Sequence, residues 1–294
     1  MSDTSKNILV IGGSGFIGSH TADILSENGH KVTILDKVSS NWKRDDQEII
    51  IADIMNQKVL ESSMKSIEVV YYFAGIADIR LAKSNPYETI ELNIMGLTKA
   101  LEAALKNRVK KFIYASTMYV YSSHGSFYRA SKQAAEIIIE TYQENFGLEY
   151  VFLRYGSLYG PRAQNWNGIR GFIEQVIEKG FLEYHGNGAE VREYIHVLDA
   201  AKLSVKALEK EYRNRSVTIT GQQSIKARDM LSMIFEIVGK KVDIRYLNKV
   251  EGTSHYGITP YRYTPKESMK LIPVEFFDLG QGILNIVKDI YNNK

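Results

Sequence analysis

The chain contains no cysteine. That removes disulfides, thiolate nucleophiles and cysteine-bound metals together, and no metal site is expected. It also lacks any apolar run approaching the roughly 18 residues a membrane span needs. The opening residues, MSDTSKN, have no apolar signal core, so the expected location is cytoplasmic. Charge of one sign is scarce as well: 37 Lys and Arg against 34 Asp and Glu leave a net charge of +3 over 294 residues. So small an imbalance does not call for nucleic acid or an acidic membrane, and neither is an expected partner. Internal repeats, low-complexity tracts and flexible linkers are missing too. What remains is an ordinary globular composition, 44% hydrophobic and 24% charged, long enough for one large or two modest domains.

What is present begins with Lys6 to His20, KNILVIGGSGFIGSH. The apolar run Ile8 to Ile11 breaks into Gly12 and Gly13, and glycines recur at Gly15 and Gly18. This spacing suits a strand turning tightly into a helix. Gly12 permits the turn, Gly15 lets a phosphate approach the backbone, and Gly18 lets the helix pack on the sheet. The free N–H groups and the dipole of the helix start then favour an anion. A second strand, 31–35, follows and ends in Asp36, placed to hold a ribose 2′-hydroxyl.

Strand patterns recur at 7–11, 31–35, 48–52, 69–73, 111–115, 150–154 and 217–220, alternating through the first half with helices at 16–28, 56–65, 86–107 and 128–145. Such alternation predicts an α/β protein, a doubly wound parallel-sheet Rossmann domain, with a smaller, mixed C-terminal substrate domain. The expected boundaries are 1–162 for the first domain, which also takes in about 190–221, and 163–294 for the second, interleaved with it. After residue 160 the rhythm changes: a polar loop at 163–171, helices at 171–179, 198–209 and 227–238, a turn at 186–188, and a mixed cap containing Pro260, Pro265 and Pro273.

Tyr128-Arg129-Ala130-Ser131-Lys132 puts a phenol and an ammonium on one helix face at i and i+4. An ammonium beside a phenol lowers the phenol pKa towards neutrality, which suits proton exchange. Ser116-Thr117 closes the preceding strand, so a hydroxyl joins the pair at the carboxyl edge of the sheet, where ligands bind in such folds.

These motifs together resemble the extended short-chain dehydrogenase/reductases, the nucleotide-sugar epimerase and dehydratase group similar to UDP-glucose 4-epimerases. The matching pieces are GGSGFIGSH, Asp36, Asp53-Ile54, Phe73-Ala74-Gly75, Asn93-x-x-Gly96, Ser116-Thr117-x-x-Val120-Tyr121, YRASK, LRYGSLYGPR at 153–162 and REYIHVLDA at 192–200. The resemblance covers nearly the whole chain in order. It implies NAD as cofactor, a nucleotide-diphosphate sugar as substrate, and Thr117, Tyr128 and Lys132 as the catalytic groups. Gly12, Gly15, Phe16, Ile17 and Gly18 would line the pyrophosphate. Asp36, with Lys37 beside it, would meet the adenosine ribose, and Asp53 and Ile54 the adenine. Phe73, Ala74, Gly75, Ser116, Tyr128, Lys132 and Tyr155 complete the cofactor side. Ala77, Thr117, Tyr128, Ser157, Asn167, Arg192 and Arg262 fall on the substrate side. A homodimer is implied through helices 86–107 and 128–145, with Ile90, Ile94, Leu97, Ile137 and Ile138 supplying apolar surface.

A carboxylate at Asp36 repels a 2′-phosphate and favours NAD over NADP. Three positions depart from the family pattern: Ser157 stands where Asn is common, Ser122 where Gly is expected, and only eleven positions separate Thr117 from Tyr128. A loop so short should open the pocket or admit a different sugar. Related 4,6-dehydratases carry Asp-Glu directly after the catalytic Thr, whereas Met118 and Tyr119 stand here and cannot manage those protons. Epimerases acting beside a ketone commonly use cysteine, which is missing. Hydride chemistry at one carbinol, most simply C4, remains. Either the ketone is reduced again from its other face, as in an epimerase, or a keto or reduced sugar leaves, as in a dehydrogenase or ketoreductase. A third reading is a catalytically silent NAD-binding protein.

Overall fold

Ile8, Leu9, Val10 and Ile11 are all fully buried, because β1 (Asn7–Ile11) lies inside a sheet covered on both faces. The computed structural model describes residues 5–247 and 256–263. β1 is flanked by β2 (Lys31–Asp36) and β3 (Gln47–Ile51) on one side. On the other side lie β4 (Val69–Tyr72), β5 (Lys111–Thr117), β6 (Glu149–Tyr155) and β10 (Arg215–Ile219). The order is β10-β6-β5-β4-β1-β2-β3, and every pairing is parallel. This is the Rossmann arrangement. Its strand order reverses between β1 and β4, which opens a crevice at their carboxyl ends.

Alternate residues of β1 feed two cores. Ile8 and Val10 meet α1 (Phe16–Glu27) through Ala22 and Leu25, and α8 (Val197–Lys206) through Ala200 and Val205. Leu9 and Ile11 belong instead with Leu60 of α2 (Gln57–Ser63), Leu97 and Leu101 of α5 (Leu97–Lys106), and Ala135 and Ile139 of α6 (Ser126–Phe146). The step of two along the strand thus serves a helix layer on each face.

The predicted helix at 86–107 is present without a break from Pro86 to Lys106, as α4 (Pro86–Ile90), a wide π-type turn at Glu91–Gly96 and α5, and is preceded by α3 (Ile79–Ser84). The π turn frees Asn93 to face inward, where its amide accepts from Ile76 N at 2.7 Å and donates to Ile76 O at 3.0 Å and to Ser131 Oγ at 2.9 Å. Of the apolar residues named for the helix surface, Leu97 is the one buried against the sheet.

Beyond residue 156 the structure has more strands than the sequence reading anticipated. β7 (Ser157–Tyr159), β9 (Val191–His196) and β11 (Ser224–Lys226) form a mixed sheet in the order β11-β9-β7. β8 (Leu182–His185) pairs in parallel with β12 (Ile244–Leu247). α7 (Gly168–Lys179) and α9 (Ala227–Val238) cover them, with Val176, Leu182, Leu231 and Phe235 fully buried between. These strands are three to six residues long, too short to display a period. α7 starts at Gly168, inside the stretch read as a loop, because Asn167 caps it by accepting from Arg170 N at 3.3 Å. Pro265 and Pro273 lie outside the described residues.

The glycine turn after β1 is set by space. Gly12 has φ +82°, and a Cβ there would stand 2.6 Å from Ala74 N at the end of β4. Gly12→Ala is therefore expected to cost about 3 kcal/mol, from left-handed strain plus overlap with backbone that cannot yield, and urea denaturation of the purified protein measures it.

Candidate active site

One cleft of about 1460 Å³ runs from the glycine turn past the ends of β4, β5 and β6 to the β8–β9 region. Every candidate residue named from the sequence lines it except Arg262. Arg262 is exposed, and its neighbours are the ones engaged: Tyr261 bonds Glu193 and the Tyr263 hydroxyl reaches Arg154.

At the glycine turn, Gly15 precedes α1, and a Cβ on it would meet only Gly12 O, at 3.3 Å, before projecting into the cleft. The backbone therefore forms a cradle open to a ligand, with the N–H groups of a twelve-residue helix behind it. The Asp36 carboxylate sits beside this cradle, accepting from Ser14 N at 3.0 Å and Val38 N at 3.3 Å. Lys37 is exposed at the cleft margin, and Asp53 fixes its own turn by accepting from Met55 N at 2.8 Å. Ile54, Phe73, Ala74 and Gly75 floor the space between. An acidic rim next to an amide-lined cradle fits a dinucleotide with a free 2′-hydroxyl.

Farther along the cleft, Thr117 ends β5 and Tyr128 and Lys132 project from α6. Thr117 hydrogen-bonds the Tyr128 phenol, and its Oγ1 accepts from Tyr119 N at 3.3 Å. Lys132 Nζ donates to Ala115 O at 2.7 Å, stands 4.6 Å from the Tyr114 ring centre and 6.0 Å from that of Tyr128. The sequence reading expected the ammonium to lower the phenol. Instead burial pushes Tyr128 up to about 12, offset in part by Thr117. Burial brings Lys132 down to about 7, with the Glu136 carboxylate opposing. The ammonium is spent on Ala115 O, so desolvation dominates both groups.

Several engaged residues differ from their expected use. The Ser116 hydroxyl donates to Glu136 at 2.5 Å, and the Tyr155 hydroxyl pairs with Ser204 at 2.6 Å. Asn167 spends its amide on Leu158 O, at 2.9 Å, and on the α7 cap. Ser157 hydrogen-bonds Tyr256, and Ala77 is exposed on the rim. Arg192 is half-buried. Its Nε is buried without a hydrogen-bond partner, and no ion pair holds it among the described residues. Its guanidinium lies 5.7 Å from the Tyr256 ring centre.

The sequence reading missed what supports these groups. Arg154 of β6 meets Glu136 twice, Nη2 at 2.6 Å and Nε at 2.9 Å, with both side chains buried. Arg154 also bonds the Tyr121 hydroxyl. The signal was available: Tyr128, Lys132 and Glu136 follow at four-residue steps, and a carboxylate on that stripe must be buried with a partner.

Residues 8–219 match the family model described as the NAD dependent epimerase/dehydratase family. The chain belongs to this family. Among curated relatives of this epimerase/dehydratase chain, a putative UDP-glucose 4-epimerase of Methanocaldococcus jannaschii is 30% identical over 97% of this chain and 99% of its own. The structure of UDP-glucose 4-epimerase from Thermotoga maritima with UDP-glucose is 29% identical, with TM-score 0.80 over 88% of this chain and 90% of that one. UDP-glucuronic acid 4-epimerase from Bacillus cereus, in complex with UDP-glucuronic acid and NAD, is 27% identical, with TM-score 0.80 over 89% and 95%. Among the described residues of this family member, no helix is long and apolar enough to cross a membrane.

The Lys132 value carries a consequence for stability. Between about pH 7 and 10.5 the unfolded chain holds a proton that the folded one has released. Stability from this group therefore rises with pH in that window, by at most about 1.4 kcal/mol per unit. Urea midpoints from pH 7 to 10 are expected to improve for the wild type relative to Lys132→Met. A constant difference between the two proteins contradicts a buried, proton-depleted Lys132.

Proposed function

We propose that the protein is an NAD-dependent epimerase that oxidises and re-reduces one carbinol, C4, of a nucleotide-diphosphate sugar. The observation that carries this reading is the meeting of Thr117, Tyr128 and Lys132 at one point of a cleft whose two ends suit a dinucleotide and an anion. NAD supplies a hydride acceptor that is reduced and reoxidised within one turnover. The residues that would hold it are Gly12, Gly15, Phe16, Ile17 and Gly18 at the pyrophosphate, Asp36 and Lys37 at the ribose, Asp53 and Ile54 at the adenine, and Phe73, Ala74 and Gly75 below. Lys132 and the Tyr155–Ser157 edge border the far end.

As the phenolate, Tyr128 Oη takes the carbinol proton as the sugar carbon is oxidised, and the phenol returns that proton when the ketone is reduced again. Thr117 Oγ1 donates to the same oxygen and steadies it as it changes from alkoxide to ketone. Lys132 lies beside the phenol and is kept in place by donating to Ala115 O. Arg192, a cation without a carboxylate partner among the described residues, suits the substrate diphosphate, since a guanidinium in a cleft favours a bidentate anion. Ser157, Ala77 and Asn167 border that path. A cytoplasmic location belongs to the same reading, because the chain relies on no disulfide.

A homodimer also forms part of this reading. Tyr87, Ile90, Met95 and Ile137 lie 79%, 37%, 50% and 63% exposed on the neighbouring α4, π turn and α6. So much apolar surface on adjacent helices favours a two-fold partner. Light scattering is expected to return twice the 33.4 kDa chain mass, and Ile137→Glu to return one. A monomeric wild type removes the dimer.

Tyr128→Phe is expected to lower turnover by at least about 1000-fold while NAD affinity, read by calorimetry, changes little. Product of unchanged mass and inverted C4 marks an epimerase; product two mass units lighter marks a dehydrogenase instead. Equal turnover in the variant refutes Tyr128 as the proton carrier.

A further inference from the structure

The corner of the cleft beside Tyr128 is closed by a side chain that the proposed chemistry does not use. Tyr119 lies two residues beyond Thr117, in the tight turn Met118–Tyr121. Its ring meets that of Tyr128 edge-on, with centroids 6.0 Å apart, and tilts against that of Tyr256 at 4.7 Å. The short connection, expected to open the pocket or admit a different sugar, delivers a ring into it. The backbone after the turn is shaped around that ring. Gly125 has φ +105°, a Cβ there would stand 2.7 Å from Tyr119 Cδ1, and the next residue, Ser126, is also held at positive φ. Left-handed backbone at two successive positions is costly and persists where surrounding contacts require it.

Arg192 contacts the same Tyr256 ring, at 5.7 Å. A substrate reaching from Tyr128 to Arg192 therefore passes along Tyr119 and Tyr256. Burial raises both phenols, so this wall is neutral. Aromatic faces carry partial negative charge and accept apolar C–H surface readily, whereas a carboxylate pressed on them loses water and meets like charge.

We propose that Tyr119 sets sugar specificity: its ring fills the space beside the reacting carbinol, admits a nucleotide sugar whose substituent there is small and uncharged, and excludes one bearing a carboxylate. This inference rests on the function proposed above. It selects the neutral hexose class over the uronate class, both of which occur among the structural relatives.

The test compares kcat/KM for UDP-glucose and UDP-glucuronate in the wild type, Tyr119→Phe and Tyr119→Ser, each with NAD. The wild type is expected to favour UDP-glucose at least tenfold, and Tyr119→Phe, which keeps the ring, to retain that ranking. Tyr119→Ser is expected to shift the ratio at least tenfold towards UDP-glucuronate. If the serine variant does not fold, Tyr119→Leu, which keeps apolar volume but not the flat ring, is expected to shift it in the same direction. A ratio unmoved by loss of the ring, or a wild type that prefers UDP-glucuronate, overturns the inference and leaves the proposed reaction standing. A wild type that binds NAD but converts neither sugar overturns the proposed reaction, and this inference with it.

Discussion

A guanidinium and a carboxylate, Arg154 on β6 and Glu136 on α6, face each other through two hydrogen bonds of 2.9 and 2.6 Å under the floor of the cleft. Ser116 donates to the same carboxylate from β5, and Tyr121 joins from the turn that follows. Four elements meet at one ion pair. A buried pair of this kind contributes little net stability, but losing one partner costs about 3–5 kcal/mol, because a lone charge is left without water. The arrangement therefore works as a registration device. It fixes how α6 sits over β5 and β6, and hence where Tyr128 and Lys132 stand relative to Thr117.

The same burial that makes the pair exacting shapes the chemistry above it. Lys132 lies one helical turn before Glu136 and feels its charge, yet desolvation still pulls it down to about 7. Tyr128, one turn earlier again, is pushed the other way. A single helix face thus carries two ionisable groups, Tyr128 and Lys132, whose behaviour is set by their depth. Both line the cleft between the glycine cradle and Arg192.

Much of this was legible in the sequence where long-period signals were strong. β1, the glycine turn, α1, β5 and the 128–132 pair emerged because apolar runs of five to seven residues and four-residue steps are readable patterns. The short strands β7, β8, β9, β11 and β12 were not, since three to six residues cannot display alternation. The helix at 86–107 was legible, but the π turn within it was not, since an extra residue in one turn leaves no composition signal. The lowered phenol expected from the Tyr–Lys spacing failed as well. Sequence proximity could not reveal that both groups are buried, or that Lys132 spends a hydrogen bond on Ala115 O. Arg262, named without a motif, does not line the cleft, while Tyr119, which cannot do acid–base work, closes its corner beside Tyr128.

Asn93 joins Ile76, in the segment after β4, to Ser131, the residue before Lys132. That one amide couples the dinucleotide floor to the proton-transfer helix, so neither can drift without the other. Drift in evolution is channelled in the same way. The wall bearing Asn93, Thr117 and Tyr128 has little latitude, because each change there disturbs two functions together. The wall built from β7 to β9 carries no such double duty among the described residues. New substrate preferences can accumulate on that side while the proton-transfer groups on the other stay still.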